Sequence, residues 1–307
     1  MGASSSPARI PAMTSVRERA ETLYRAIQET VCAGLARLDG QATFGRDAWE
    51  RPGGGGGLTR VIADGAILEK GAVNVSAVWG KAPPEMSAAL EVRVEEFFAT
   101  GVSMIFHPRN PHAPTMHANF RYLEVDGGRA WFGGGSDLTP YYLYEEDARH
   151  FHGTLHDACA RHALADYRAW KGWCDRYFFL PHRGEARGVG GIFFDRIQGD
   201  PDALLALQEE LGQALLPGYA PLLERRAATP WGPNEERWHL QRRGRYAEFN
   251  LVYDRGTKFG LVTGGRAESI LVSLPPRVRW DYDVQPAPGS PERKLLDLVT
   301  GPPRDWV

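Results

Sequence analysis

Histidines are concentrated in one part of this 307-residue sequence, with eight of the nine lying between His107 and His182. Imidazole is a common ligand of zinc, copper and iron, so a metal site is one explanation. His107, His112 and His117 are five residues apart, and the prolines between them predict an extended, kinked loop rather than a helix. Such a loop permits a shared metal site without requiring one. Hydrogen-bonded structural histidines are the alternative.

Two further histidines, His152 and His156, are four residues apart on a predicted helix and therefore share one face. No glutamate follows His152, so the HExxH signature of zinc hydrolases is absent. The sequence also lacks a Gly-x-Ser-x-Gly elbow and a GxGxxG motif after a strand. These absences weaken the alternatives of a hydrolase and of a nicotinamide- or flavin-dependent enzyme.

Glycine clusters and arginines indicate sites for carboxylates. Glycines 133–135 and 264–265 each precede a predicted helix or turn, where backbone N–H groups and the helix dipole favour anions. Arg266 follows the second cluster directly. Three other arginines, Arg121, Arg187 and Arg255, offer planar donor groups that suit bidentate carboxylate binding. Taken singly, each of these arginines is more often part of a surface ion pair.

Asp137 lies between the glycine triplet and a Leu-Thr-Pro sequence, where it either caps the next predicted helix or faces a pocket.

A run of five glycines at positions 53–57 lacks the Lys-Ser or Lys-Thr of a phosphate loop and predicts a flexible loop instead. The formal net charge is only −2, so any anion site must be local. The same balance gives no reason to expect nucleic acid as a partner.

The composition is that of a folded globular protein, with 43% hydrophobic and 24% charged residues. No apolar run approaches the roughly 18 to 20 residues needed to span a bilayer, and the N-terminus lacks the hydrophobic stretch of a secretory signal. Three widely separated cysteines, Cys32, Cys159 and Cys174, are expected to be free thiols. We therefore expect a cytoplasmic protein without a membrane span.

Hydrophobic periodicity predicts the elements that must position these residues. A helix should begin at Ser15, which has capping-box spacing to Glu18, and end near Asp39 and Gly40. Strands are predicted over residues 58–79, 101–106, 118–125, 130–133 and 188–194, and a hairpin over 246–262. Helices are predicted over residues 87–98, 145–167, 168–177, 202–216, 218–226 and 267–274.

Strands and helices do not alternate regularly in this pattern, which predicts an α+β fold. We expect a large, mainly antiparallel sheet flanked on both faces by helices. Residues 15–307 should form a single catalytic domain, preceded by a disordered tail over residues 1–14.

Four separated blocks together resemble the oxygen-dependent coproporphyrinogen III oxidases. They are SMIFHPRNPHAPTMHANFR at 103–121, WFGGGSDLTPYY at 131–142, KGWCDRYFFLPHRGEARGVGGIFFD at 171–195 and YAEFNLVYDRGTKFGLVTGGRAESILVSLPP at 246–276. The resemblance implies a flat antiparallel sheet between helices, and a homodimer with its dimerisation region at 246–281. It also implies a tetrapyrrole substrate whose ring A and B propionates are decarboxylated to vinyl groups, with dioxygen as co-substrate and no organic cofactor.

The resemblance further implies roles for individual residues. Substrate contacts are implied for Ser103, Asn119, Phe120, Arg121, Gly264, Gly265 and Arg266. His117 matches a proposed proton donor of the family. Our hypothesis for the mechanism is that Asp137 accepts hydrogen bonds from pyrrole N–H groups and that Arg121, Arg187 or Arg266 anchors the propionates. A divalent metal cation is implied for the bacterial members, with His107, His117, His152 and His182 as its ligands.

Two other functions compete with this interpretation. A histidine-rich metallohydrolase would explain the histidines, but the HExxH motif is absent. A haem- or porphyrin-binding carrier would explain the carboxylate-binding groups, but the sequence has no obvious axial-ligand motif and a carrier would consume no dioxygen.

Overall fold

A seven-stranded antiparallel sheet lies at the centre of the computed structural model, which describes residues 15–262 and 264–307. Its first six strands lie side by side in chain order, and the strand Gly190–Ile197 pairs with the sixth at the edge. The tail predicted over residues 1–14 lies outside the described residues. The strands of the sheet are β1 (Asp47–Glu50), β2 (Gly55–Ala63), β3 (Leu68–Lys81), β4 (Glu96–Pro108), β5 (Thr115–Val125), β6 (Arg129–Thr139) and β9 (Gly190–Ile197). Strands β7 (Phe179–Leu180) and β8 (Glu185–Ala186) form a separate small ribbon.

Helices lie on both faces of this sheet. The first begins where the sequence predicts, because the Ser15 and Glu18 side chains form a capping box, and it ends at Gly40 in the left-handed conformation. The helices are α1 (Val16–Asp39), α2 (Pro84–Leu90), α3 (Glu145–Ala160), α4 (Tyr167–Tyr177), α5 (Pro201–Arg226), α6 (Pro233–Val252), α7 (Arg255–Val262), α8 (Ala267–Leu271) and α9 (Pro291–Thr300).

One face of the sheet carries the main hydrophobic core. Alternate residues of β5, among them Met116, Ala118 and Phe120, point into this core together with apolar residues of α1, α3 and α5. A buried hydrogen bond of 2.5 Å joins Tyr24 of α1 to Gln208 of α5. The side chains of β5 that alternate with these therefore point to the opposite face of the sheet.

The opposite face is covered at its two sides and is polar between them. Tyr246 of α6 packs on β3 and β4 at one place, and Phe249 of α6 lies in a buried cluster with Phe193 of β9 at another. Between these contacts, Ser103 is exposed and Asn119 is half-buried. We call this face the cleft face.

The predicted fold class is confirmed. The chain is an α+β protein with a large antiparallel sheet flanked by helices in a single domain. In the described part of the chain, no helix is both long enough and apolar enough to cross a membrane.

The helix predicted over residues 87–98 is wrong in its extent. Helix α2 ends at Leu90 because Glu91 adopts a left-handed conformation with φ of 57°. The chain is extended again from Glu96, where β4 pairs with β3. Phe97 is buried in a small cluster beneath α2, so tertiary packing decides the conformation of this apolar segment.

The hairpin predicted over residues 246–262 is also wrong, because both segments are helical. Tyr246, Phe249 and Asn250 recur at helical spacing and are all buried, which gives α6 its inward face. Asp254 separates the two helices and accepts a hydrogen bond from the amide of Thr257 at 2.7 Å. Aromatic and β-branched residues here belong to a buried helix rather than to a strand.

Glycines 133–135 lie inside β6, so the prediction that they precede a helix or turn is wrong. An added Cβ at Gly134 would come within 2.7 Å of the Phe120 ring, and one at Gly135 within 2.4 Å of the Ile192 carbonyl. Glycine is therefore needed here for close packing in the sheet.

Candidate active site

The register of the central strands brings five of the predicted site residues together on the cleft face. Side chains separated by two residues along a strand share a face, and opposed residues on paired strands are neighbours. The opposed pairs are Ser103 with Asn119, Asn119 with Gly135, His117 with Asp137, Arg121 with Gly133, and Asp137 with Gly191. Antiparallel pairing thus gathers residues that are far apart in sequence.

Asp137 is the buried centre of this group, with 2% of its side chain exposed. Nη2 of Arg187 lies 2.8 and 2.7 Å from its two carboxylate oxygens. Nδ1 of His117 lies 2.9 Å from Oδ1 of Asp137. Because an ionised carboxylate only accepts hydrogen bonds, Nδ1 carries the proton in this pair, which leaves Nε2 of His117 to exchange a proton with a ligand.

Both members of the ion pair are charged at neutral pH. Burial by itself would raise the pKa of Asp137, but the charge of Arg187 and the hydrogen bond from His117 outweigh burial and hold this pKa below its ordinary value. Burial would lower the pKa of Arg187, and the charge of Asp137 reverses that effect, so this pKa is raised. The site thus contains a fixed, buried charge pair beside a histidine.

The interpretation of Asp137 as a helix cap is wrong, because it lies within β6 and the residue before α3 is Tyr144. Both oxygens of Asp137 are engaged by protein groups. In this arrangement of the described residues, the carboxylate is connected to the cleft only by its hydrogen bond with His117, whose side chain is 18% exposed.

Aromatic rings enclose the Arg187 side chain, which is 2% exposed. Its guanidinium carbon lies 3.9 Å from the ring centre of Phe178, 4.6 Å from that of Tyr246 and 4.8 Å from that of Phe249. Such contacts stabilise a buried cation. Arg187 is therefore placed to hold Asp137 rather than to reach a propionate in the cleft.

Of the predicted carboxylate-binding arginines, Arg121, Arg255 and Arg266 reach the surface, and Arg121 and Arg266 are paired with carboxylates of the sheet. Arg121 is 38% exposed and lies 2.9 Å from Asp195 on β9, and it donates to the Asn119 side chain at 2.7 Å. Arg266, 31% exposed, lies 2.5 Å from Asp47 on β1. Each guanidinium is thus already oriented by a carboxylate on the same sheet.

Three predicted substrate-binding residues offer less than the sequence suggests. The Phe120 side chain is buried in the core on the opposite face, so any contact with a ligand must come from its backbone. The amides of Gly264 and Gly265 donate to the carbonyls of Leu261 and Gly260 at 3.4 and 2.7 Å, which ends α7. These two N–H groups are therefore engaged already.

The four histidines predicted as metal ligands are not gathered into one site. Among residues 15–262 and 264–307, no group of three or more His, Cys, Asp or Glu side chains could hold a metal ion. In three of the four, both ring nitrogens are engaged: His107 by Thr115 and Ser273, His152 by Tyr167 and Val189, and His182 by Glu248 and Tyr253. The donor set does not fit a divalent cation in this arrangement.

Burial also affects two of these histidines. It holds the pKa of His107 well below its ordinary value and lowers the pKa of His152 to about 3. Both rings are therefore neutral, hydrogen-bonded parts of the interior, which is the alternative that the sequence left open.

Residues that the sequence analysis did not single out complete the site. Asp195 orients Arg121, Asn250 accepts a hydrogen bond from Arg187 at 3.0 Å, and Phe193 lies under the Arg121 guanidinium at 5.7 Å. Phe193 and Asp195 are two residues apart on β9, and this alternation is the signal in the sequence that could have placed them together. Nothing local marks Asn250, which lies on a helix predicted as a strand.

Comparison with known proteins finds similar sequences over nearly the whole chain. The family model described as coproporphyrinogen III oxidase matches residues 19–306. The oxygen-dependent coproporphyrinogen-III oxidase, chloroplastic, of Glycine max is 49% identical over 310 residues, covering 96% of this chain and 80% of that protein. Coproporphyrinogen-III oxidase 1, chloroplastic, of Arabidopsis thaliana is 47% identical over the same coverage. A Nicotiana tabacum protein with the same description as the first is also 47% identical, over 96% of this chain and 78% of its own length. The chain belongs to the coproporphyrinogen III oxidase family.

Proposed function

We propose that this protein is an oxidoreductase that converts coproporphyrinogen III to protoporphyrinogen IX with dioxygen, in haem and porphyrin biosynthesis. Each of two propionate groups, on rings A and B, would be oxidised in turn. A propionate carboxylate, one dioxygen and one proton give a vinyl group, carbon dioxide and hydrogen peroxide, which balances atoms and charge. The electron-rich pyrrole of the substrate is the reductant, so no organic cofactor is needed.

The observation that carries this proposal is that His117 and Arg121 lie on the same face of β5, on either side of Asn119. Because residues separated by an even number along a strand share a face, the His117 imidazole and the Arg121 guanidinium lie on the same side of the sheet, which supports the proposal. A propionate side chain requires both groups, because its carboxylate must be held while a proton leaves the methylene next to the ring.

Each site residue then has a role that follows from its position. Arg121 and Arg266 bind propionates as bidentate donors, with Ser103 and Asn119 contributing polar contacts between them. His117 exchanges the proton through Nε2. Asp137 accepts from Nδ1 of His117 and so fixes the ring orientation and stabilises the imidazolium while it carries the proton.

No step of this mechanism passes through a metal. The nitrogens that a metal would need in His107, His152 and His182 are engaged by other groups. The chemistry is assigned to the substrate, to dioxygen and to the residues of the cleft face.

Aerobic incubation of the purified chain with coproporphyrinogen III tests the proposal. Release of carbon dioxide and a product that gives protoporphyrin fluorescence after oxidation are the expected results. An anaerobic sample is the matched control and should give neither. Binding of the tetrapyrrole without turnover in air would instead support the carrier interpretation.

A homodimer that uses residues 246–281 is part of the proposal. This segment presents exposed apolar side chains, including Leu251, Val252 and Trp280, of which 48%, 46% and 54% are exposed. Covering such side chains with a second copy would remove apolar surface from water. Light scattering should give twice the mass of one chain, and Leu251→Glu should shift it toward one chain.

We also propose a cytoplasmic location. The three cysteines are free thiols buried in the interior, as is usual in a reducing compartment. The matched relatives are named as chloroplastic. Fractionation of the source cells followed by detection of the native chain distinguishes the two locations.

A further inference from the structure

Asn250 binds the second terminal nitrogen of the Arg187 guanidinium. While Nη2 of Arg187 contacts both oxygens of Asp137, Nη1 donates to Oδ1 of Asn250 at 3.0 Å. Asn250 is itself buried, with 5% of the residue exposed. A guanidinium whose two terminal nitrogens are bound on different sides has one orientation available to it.

Apart from Asp137 and Asn250, no side chain among the described residues forms a hydrogen bond with the Arg187 guanidinium. Phe178, Tyr246 and Phe249 contact its guanidinium through their ring faces, which attract a cation but leave it free to turn in its own plane. Nε of Arg187 is buried without a hydrogen-bond partner among the described residues. The bond to Asn250 therefore determines which nitrogen points at Asp137.

Asn250 is in turn held at its other end. Its Nδ2 donates to Oγ of Ser273 at 3.4 Å, and the Ser273 carbonyl accepts from Nε2 of His107 at 3.0 Å. The side chain is thus fixed from the segment that follows α8. This arrangement assigns Oδ1, rather than Nδ2, to Arg187.

We propose that Asn250 is a positioning residue for the proton-transfer group, acting on His117 through Arg187 and Asp137. The inference rests on the proposed function, because it specifies which contact fixes the geometry of the same site for proton transfer. Asn250 does not face the cleft, so its loss should change the chemical step rather than substrate binding.

Substitution of Asn250 by leucine removes the acceptor while keeping the side-chain size close. We expect kcat to fall by about 10- to 100-fold, with KM changed by less than about threefold. Asn250→Asp keeps an acceptor oxygen at the same atom position. It should stay within about fivefold of the wild-type kcat, as the conservative variant that restores the function.

Asn110 provides a matched control. It is also a buried asparagine, and it donates to the carbonyls of Ala227 and Thr229 at 3.1 and 2.8 Å. Asn110→Leu should lower the melting temperature to a similar degree as Asn250→Leu but leave kcat within about twofold. An equal loss of kcat in both variants would overturn the proposal, because general destabilisation would then explain it.

A second measurement does not depend on turnover. With both terminal nitrogens held, rotation of the Arg187 guanidinium should be slow and give separate Nη1 and Nη2 signals in an arginine side-chain NMR spectrum, assigned by their loss in Arg187→Lys. The signals should merge in Asn250→Leu and stay separate in Asn110→Leu. If the Nη1 and Nη2 signals merge in Asn250→Leu but the wild-type protein shows no turnover, only the proposed function is refuted. If the two signals stay separate in Asn250→Leu, the role of Asn250 is refuted.

Discussion

His117 and Asp137 are directly opposite each other on the neighbouring strands β5 and β6, and Nδ1 of the first lies 2.9 Å from Oδ1 of the second. This contact joins a partly exposed ring to a carboxylate that is almost fully buried. Arg187 forms an ion pair with the same carboxylate.

Asp137→Asn should impair both folding and turnover. The substitution leaves Arg187 as a buried charge without its partner, which typically costs about 3 to 5 kcal/mol. We expect kcat to fall by about 10²- to 10⁴-fold, since His117 loses the carboxylate that orients its ring. Urea denaturation measures the first effect and steady-state kinetics at a temperature where the variant is folded measures the second.

Asp157→Asn is the control for this variant, because Asp157 is exposed on α3 and should change the free energy of unfolding by less than about 0.5 kcal/mol. Turnover of Asp137→Asn at the wild-type rate with intact folding would remove the assigned role.

The pKa of Asp137 is lowered on folding, so the carboxylate contributes to stability in a pH-dependent way. Its stabilising contribution is complete above the unfolded pKa of about 3.9 and is lost as the pH falls through the lower folded pKa.

Arg121→Ala should act mainly on substrate binding. Losing a charged hydrogen-bond donor to a carboxylate costs about 1.5 to 3 kcal/mol, so KM should rise by about 10- to 100-fold while kcat falls less. Initial rates over a range of substrate concentrations separate the two parameters. Arg161→Ala, which removes an exposed ion pair to α5, should leave KM unchanged. An unchanged KM in Arg121→Ala would contradict propionate binding by this residue.

Glu248 should contribute to stability in acid. Although burial favours its protonated form, hydrogen bonds from Arg183 and His182 and the charge of Arg245 lower the pKa of Glu248 to about 2. The unfolded value is about 4.3, so the stabilising contribution is complete above about pH 4.3 and is lost as the pH falls through about 2. The free energy of unfolding should therefore decline over this window.

Glu248→Gln should remove this part of the decline when urea denaturation is measured at a series of pH values from about 2 to 6. Glu50→Gln is the comparison variant, since Glu50 is an exposed residue at the end of β1. The same acid profile in Glu248→Gln and wild type would show that the Glu248 cluster does not contribute.

Removal of divalent metal should leave activity within about twofold. The reason is the hydrogen bonding of His107, His152 and His182, whose ring nitrogens are engaged by protein groups. Dialysis against a chelator, metal analysis and assay in metal-free buffer measure the effect. A loss of more than about tenfold that added metal reverses would instead support the histidines as ligands, since metal affinity would then be coupled to activity.

The sequence alone determined the features that depend on local patterns. Ser15 and Glu18 specified the start of α1, and the alternation in β5 specified which side chains enter the core. The motif blocks identified the family, and the arginines indicated a carboxylate ligand, because these signals are readable from residue types and spacing.

Only the tertiary structure decided which groups Asp137 and Arg187 contact, because these contacts join strands and helices that are distant in sequence. The same holds for residues 246–262, where a strand-like composition forms helices since packing of Tyr246 and Phe249 against the sheet outweighs local preference. Histidines that looked like one metal site are separate because hydrogen bonds with distant partners hold each ring where it is. Burial and pairing across the sheet are properties of the folded chain, and spacing along the sequence does not specify them.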